Sequence, residues 1–376
     1  MTAASPDFTR LVPEHIRRFE AYVPSKPDDE LKKLYGCEVL HRLHNNENPL
    51  GAPAASREVL NASWRDRTAL YPSGDSYYLR HALAERFGKH PDQFLVGNGS
   101  CEVIASVVKA FCQTGDNIVT ADRTFAVYEW VAEFSGFDAR LIPLRDFGFD
   151  DQAMLERVDL NTKVIFVCNP NNPTGTYWDR DRMIRFLERV SNRCIVVIDE
   201  AYFEYVEKEN FPDGMQLMEQ YPNVVVFRTF SKMYGLAALR VGYLAASREM
   251  VDYIRRASVA YSVNTLAQAA ATKAVRHGTE HILATREVTG CSKALVRQMA
   301  GSLGLPCQSG EGNYVMVRVP VNDTLFCRRM MRRGFMVRSM TGFRFPNWIR
   351  VSLAGPDVMQ RFVDAFSDEI KADPQA

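Results

Sequence analysis

From about residue 53 the chain alternates stretches of helical period with short, unbroken apolar runs: Phe94-Leu-Val, Asn117-Ile-Val-Thr, Val164-Ile-Phe-Val-Cys, Cys194-Ile-Val-Val-Ile, Asn223-Val-Val-Val-Phe-Arg and Arg240-Val-Gly-Tyr-Leu-Ala. Runs this short, bounded by Gly, Pro or Asp, predict strands buried on both faces, as in an α/β sheet. Near residue 247 the character changes to long helical stretches. These give way to alternating strands at Asn313-Tyr-Val-Met-Val-Arg and Trp348-Ile-Arg-Val-Ser-Leu, with another ending at Met336-Val337, which predicts a second, α+β domain. Residues 1–48 are polar, and Tyr22-Val-Pro-Ser-Lys-Pro27 is expected to be extended because each proline disfavours helix in the residue before it. No internal repeat or low-complexity segment interrupts this order.

A chain of 376 residues, 46% hydrophobic and 24% charged, can bury one large and one smaller core. Lys and Arg total 46 against 45 for Asp and Glu, so no net field exists to attract nucleic acid or an anionic membrane, and small-molecule partners are expected. The eight cysteines show no C-x-x-C pair and no histidines at zinc spacing, which argues against a metal and for a reducing cytoplasm. No run of about 18 apolar residues and no signal-peptide core is present, so a soluble, unprocessed protein is expected.

Four clusters sit at the ends of expected strands, where ligands gather in open α/β sheets. Gly97-Asn-Gly-Ser-Cys-Glu102 joins a strand to a helix whose first N–H groups can hold a phosphate. Asn169-Pro-Asn-Asn-Pro-Thr-Gly175 fixes a turn that presents side-chain amides. Asp199-Glu-Ala-Tyr202 ends a fully apolar strand, where an acid suffers desolvation unless it meets a cation. In Arg228-Thr-Phe-Ser-Lys-Met-Tyr-Gly-Leu-Ala-Ala-Leu-Arg240, Lys232 has apolar neighbours, which favours the neutral amine, and Ser231 and Arg240 can serve a phosphate. Each cluster alone also fits a plain turn, a solvated acid or a solvated lysine.

Taken in order, the clusters resemble the fold-type I aminotransferases that use pyridoxal 5'-phosphate, and within them the histidinol-phosphate aminotransferase family. The resemblance runs from about Tyr22 to Ala365 and includes Asn46-Glu-Asn-Pro-Leu-Gly51, Leu70-Tyr-Pro-Ser-Gly74, Val263-Asn-Thr-Leu-Ala-Gln268, Arg338 and Arg350. It implies the aspartate-aminotransferase fold: a large domain with a mostly parallel seven-stranded sheet and a smaller α+β domain. The expected division is an arm and part of the small domain at 1–48, the cofactor domain at 49–260 and the rest of the small domain at 261–376.

By resemblance, Lys232 is the Schiff-base lysine and proton shuttle, Asp199 pairs with the pyridine nitrogen, and Asn172 and Tyr202 bond the phenolic oxygen. Phe125 stacks on the ring, with Tyr128 close behind. The phosphate falls to the backbone of Ser100 and Cys101, the hydroxyls of Thr229 and Ser231, and Arg240. Tyr71 reaches that phosphate from a neighbouring subunit, which implies a homodimer with shared active sites. Tyr22, Asn48, Asn313, Arg338 and Arg350 surround the substrate, an amino donor that exchanges with a 2-oxo acid.

The sequence departs from the family in having Ser25 where the arm usually has Gly, Cys101 where Asp or Asn is common, Gly312-Asn-Tyr314 for Ala-Asn-Phe, and a basic His41-Arg-Leu-His44. Two guanidiniums suit a phosphate monoester, and one alone could clamp an α-carboxylate. A donor other than histidinol phosphate, such as an aromatic or specialised amino acid, and a phosphothreonine-decarboxylating relative stay open. A catalytically silent binding protein is disfavoured by the joint presence of Lys232, Asp199, Asn172, Tyr202 and Arg240.

Overall fold

The computed structural model describes residues 8–21, 24–61, 68–190 and 193–372. Each apolar run named above forms a strand. β2 (Phe94–Gly97), β3 (Asn117–Ala121), β4 (Asp138–Ile142), β5 (Thr162–Cys168), β6 (Ile195–Asp199), β7 (Val224–Thr229) and β8 (Gly242–Ala245) make one sheet. Their order is β2-β8-β7-β6-β5-β3-β4, and only β8 runs antiparallel to its neighbours. Every residue of β3 and β7 is buried, as expected for strands covered by helices on both faces. β4 was not anticipated. It is an edge strand whose sequence, Asp-Ala-Arg-Leu-Ile, lacks a continuous apolar run and whose first residue is exposed.

The second sheet is β1 (His41–Leu43), β11 (Phe335–Ser339), β12 (Trp348–Ser352), β10 (Tyr314–Arg318) and β9 (Cys307–Gln308), in that order. β1 joins parallel to β11, and the other pairs are antiparallel. Leu43, Val315, Val317, Phe335, Val337, Ile349 and Val351 pack with Phe362 and Phe366 of the helix Pro356–Lys371 in a separate core. Because strand side chains alternate, Arg338 and Arg350 fall on the opposite face of this sheet.

The N-terminal segment divides between the two sheets. The helix Glu14–Arg18 lies near Val127–Ser135, where Phe19 meets Phe134 edge-on at 5.8 Å, while β1 joins the second sheet. The larger core does not stop at residue 260. The helix Thr265–His277 turns Ala267, Ala270, Ala271 and Ala274 into it, against the helices Ala54–Asn61 and Tyr77–Phe87. Within the next helix, Thr279–Ser302, Ile282 belongs to the larger core and Val296, Met299 and Ala300 to the smaller one. The expected junction at 260/261 therefore precedes the change of core, because helical character alone does not tell which sheet a helix covers. Among the described residues no helix is long and apolar enough to cross a membrane, and no cluster of three metal-ligating side chains occurs.

Candidate active site

The carboxyl ends of β5, β6 and β7 and the turn after β2 open into a cleft of about 550 Å³, closed on the far side by the second sheet. Asp199, the last residue of β6, is 2% exposed. Burial pushes its carboxyl up to about 6, and hydrogen bonds from the Tyr128 hydroxyl (2.6 Å) and the Ala201 N–H (3.0 Å) pull the other way. An acid so placed is completed by a cation. Lys232 donates from Nζ to the Asn45 carbonyl at 2.7 Å. Burial lowers its ammonium to about 8, the Arg350 charge adds to this and Glu47 opposes it, so a useful fraction is neutral near pH 8.

The loop carrying Lys232 is pressed against the loop 46–51. Gly235 has φ +59°, and a Cβ there would run into the Gly51 carbonyl. Asn48 fastens the same contact by donating to the Met233 carbonyl at 2.6 Å.

The helix Ser100–Phe111 begins at the cleft floor with free N–H groups in its first turn. Gly99 precedes it at φ +79°, and a Cβ at this point would collide with the Arg240 guanidinium. Arg240 Nη1 lies 3.5 Å from Ser231 Oγ, and Ser100, Thr229 and Ser231 line the same corner. Helix N–H groups, hydroxyls and a guanidinium around one point form a cup that fits a phosphate.

Across the cleft, Arg338 and Arg350 are direct cross-strand partners on β11 and β12. Arg350 is 5% exposed; it donates to Asn172 Oδ1 at 2.5 Å and to the His44 carbonyl at 2.7 Å, while its Nε has no partner. Burial lowers its pKa, and the Arg338 charge adds to the effect. Among the described residues neither guanidinium meets a carboxylate. Like charges placed opposite each other on adjacent strands repel, and this pair, with Arg350 buried and Arg338 half-buried, is completed by an anion.

The family model for aminotransferase class I and II matches residues 40–366. The chain belongs to the class I and II aminotransferases. Histidinol-phosphate aminotransferase 2 of Pseudomonas aeruginosa is 36% identical over 98% of this chain and 100% of its own length. The histidinol-phosphate aminotransferase of Bacillus subtilis is 37% identical over 91% of this chain and 95% of its own. A solved structure of histidinol-phosphate aminotransferase from Sinorhizobium meliloti in complex with pyridoxal-5'-phosphate matches at TM-score 0.85 and 22% identity, covering 99% of this chain and 100% of that one. A single mutant of Thermus thermophilus aspartate aminotransferase matches at TM-score 0.82 and 20% identity, over 95% and 99% of the two chains. These structural likenesses establish the fold.

In this aminotransferase Ser100, Cys101, Phe125, Asn172, Asp199, Tyr202, Thr229, Ser231, Lys232, Arg240, Arg338 and Arg350 all line one cleft. Asn48 and Asn313, expected beside the substrate, do not. Asn48 is spent on the Lys232 loop, and Asn313, fully buried, donates to the Asn46 and Glu47 carbonyls at 3.0 and 3.2 Å. Both hold the loop whose Asn46 donates to the Tyr202 hydroxyl at 2.8 Å. Tyr71 is 86% exposed and does not line its own cleft; its ring is 5.2 Å from that of Tyr261. Tyr22 lies outside the described residues.

Asn45, Glu47, Trp130, Cys168 and Phe343 also stand on the cleft wall and Tyr128 bonds Asp199, placements that no motif in the sequence marks. A partial signal existed for Tyr128, which lies three residues after Phe125, and the two rings meet edge-on at 5.6 Å.

Proposed function

We propose that this aminotransferase uses pyridoxal 5'-phosphate to move the amino group of histidinol phosphate to 2-oxoglutarate. The pairing of Arg338 with Arg350 at the cleft wall, without a carboxylate for either, carries the choice of a phosphorylated donor. A carboxylate can be saturated by one bidentate arginine, whereas a dianionic phosphate uses two. The names of the full-length relatives point the same way.

The residues present fit the cofactor. The helix start at Ser100 and Cys101, with Thr229, Ser231 and Arg240, would take its phosphate. Asp199 would take the ring nitrogen, Asn172 and Tyr202 its phenolic oxygen, and Phe125 the ring face. When bound, the group supplies an electron sink for the negative charge left at the substrate Cα after deprotonation.

The protein's part is positioning and proton transfer. Tyr202, whose phenol burial keeps above its usual range, remains a neutral donor. Asp199 is braced by Tyr128, so its carboxylate keeps one orientation. Lys232, partly neutral, can accept a proton at Nζ and return it. Arg338 and Arg350 would orient the substrate by its far end, setting Cα against Lys232.

Tyr71, with exposed Leu70, Tyr78, Val259 and Tyr261, suits a contact with a second copy, and we read the active form as a cytoplasmic homodimer in which Tyr71 serves the partner's cofactor phosphate. An active species that sediments as a monomer would end that part.

Borohydride reduction followed by peptide mapping should find the pyridoxyl group on Lys232, and Lys232→Ala should not turn over. Steady-state rates with histidinol phosphate, phenylalanine and phosphothreonine, each paired with 2-oxoglutarate, test the donor. A kcat/KM for phenylalanine at or above that for histidinol phosphate would replace the phosphorylated donor with an aromatic amino acid.

A further inference from the structure

The turn 341–344 is gripped from both halves of the molecule. On the side of the smaller sheet, the buried Asp323 carboxylate accepts from the N–H groups of Met340 and Thr341, both at 2.9 Å, and from the Thr341 hydroxyl at 2.6 Å. On the side of the larger sheet the grip is Arg344. Its guanidinium donates to the two Glu129 carboxylate oxygens at 3.0 and 2.7 Å and to the Asp122 carbonyl at 2.6 Å. Asp122 follows β3, and Glu129 lies on the helix Val127–Ser135.

Next to Arg344 stands Phe343, which lines the cleft with its ring 5.9 Å from the Arg338 guanidinium and 5.8 Å from that of Arg350. Behind it a second cavity of about 210 Å³ is bounded by Phe343, Arg344, Glu129, Phe125 and Trp130.

We propose that Glu129 and Arg344 form a clasp that holds Phe343 over the paired arginines, which makes both of them positioning residues for the anionic end of the substrate. The inference rests on the anion reading of Arg338 and Arg350 given above. The Arg344 side chain is 48% exposed and that of Glu129 18%, so the pair contributes little to the stability of the fold. Its two parallel hydrogen bonds nevertheless fix a direction, as a bidentate arginine does. The direction decides where the Phe343 ring stands. In place, the ring keeps water from the guanidinium faces and so strengthens their attraction for an anion. With the clasp open, the adjoining cavity gives the ring somewhere to go, and the arginines become hydrated.

The test uses the holoenzyme with Glu129→Gln, Arg344→Ala and the double variant. The readouts are kcat and KM for histidinol phosphate, the competitive Ki of inorganic phosphate, and the thermal midpoint. Each single variant should raise KM and Ki together by about tenfold while kcat changes by less than about threefold and the midpoint hardly moves. The double variant should be no worse than either single one, because both break the same contact. Additive losses in the double variant, or a fall in kcat at unchanged KM, would overturn the clasp. So would unchanged KM and Ki in all three variants; Arg350→Ala in the same assays then separates the cases. If it weakens phosphate binding, the clasp alone is wrong, and if it too has no effect, the anion reading beneath the clasp falls with it.

Discussion

Two arginines are buried in this molecule almost equally, Arg228 at 1% and Arg350 at 5% exposure, and their surroundings are opposite. Arg228, on β7, donates to Glu200 through Nε and Nη2 at 2.9 and 2.8 Å and to Asp213 at 2.7 Å, with the Phe203 ring 3.6 Å from its guanidinium carbon. Burial works against its charge, but Glu200 and Asp213 outweigh burial and hold its pKa above the usual range. Arg350 has only neutral oxygen partners, and its nearest strand neighbour of note is another arginine. The first site is electrically complete as folded. The second is completed only by something that arrives.

The comparison breaks first on stability. Arg228→Met strands two carboxylates in the interior, one of them fully buried, and should cost about 3–5 kcal/mol in urea unfolding. Arg350→Met strands no carboxylate. It leaves the Asn172 side-chain oxygen and the His44 carbonyl without a donor, at about 1–3 kcal/mol, and removes a repulsion from Arg338 that offsets part of this. Equal losses in the two variants would show that Arg350 is as much a structural ion as Arg228.

On substrate binding the order reverses. Truncating Arg338 or Arg350 to alanine should raise KM for histidinol phosphate by an amount equivalent to about 2–5 kcal/mol, with a weaker effect on 2-oxoglutarate. Should Arg350→Ala abolish use of 2-oxoglutarate and leave histidinol phosphate binding intact, Arg350 is a carboxylate clamp, and the phosphate reading loses its physical support.

This pair of arginines also marks how far the sequence could be read. Their meeting was legible in part: the resemblance put both beside the substrate, and two nearby strands, if paired, bring Arg338 and Arg350 together. Asp199 was legible at the end of an unbroken apolar run, where a charged side chain is conspicuous, while Lys232, three residues past β7, stood out by its apolar neighbours Phe230, Met233 and Leu236 and by its motif. Side-chain direction in loops was not legible. Asn48 and Asn313 sit in recognisable motifs, yet their amides bond backbone carbonyls, and no spacing rule says which way a loop side chain turns. Phe343 reaches the cleft beside Trp130 where the turn 341–344 meets the helix Val127–Ser135 through Arg344 and Glu129. The edge strand β4 and the helix Thr265–His277 were misjudged or missed for a related reason: one has too little apolar pattern, and the other has enough but could cover either sheet.

The last effect is read in the pH profile and concerns His44, a buried base that feels both arginines, though less than it feels burial and Arg42. Its ring is 3% exposed, and neither ring nitrogen has a hydrogen-bond partner. Burial, then the charges of Arg42, Arg338 and Arg350, lower its pKa from 6.5 to about 4, with Asp28 opposing. The sign follows from proton counting. Between pH 6.5 and about 4 the unfolded chain binds a proton at this position and the native chain does not, so stability is full above 6.5 and falls as the pH drops toward 4. The loss amounts to roughly 3 kcal/mol. His44→Gln should therefore flatten the acid limb of the stability curve relative to the natural protein, as measured by urea unfolding at a series of pH values. Inorganic phosphate sharpens the test. An anion between Arg338 and Arg350 offsets part of the positive charge that depresses His44, so its pKa should rise and the acid sensitivity should shrink. An acid limb that keeps its slope in phosphate would mean that no anion binds between the two arginines, and the contrast with Arg228 would reduce to a difference in hydrogen bonding.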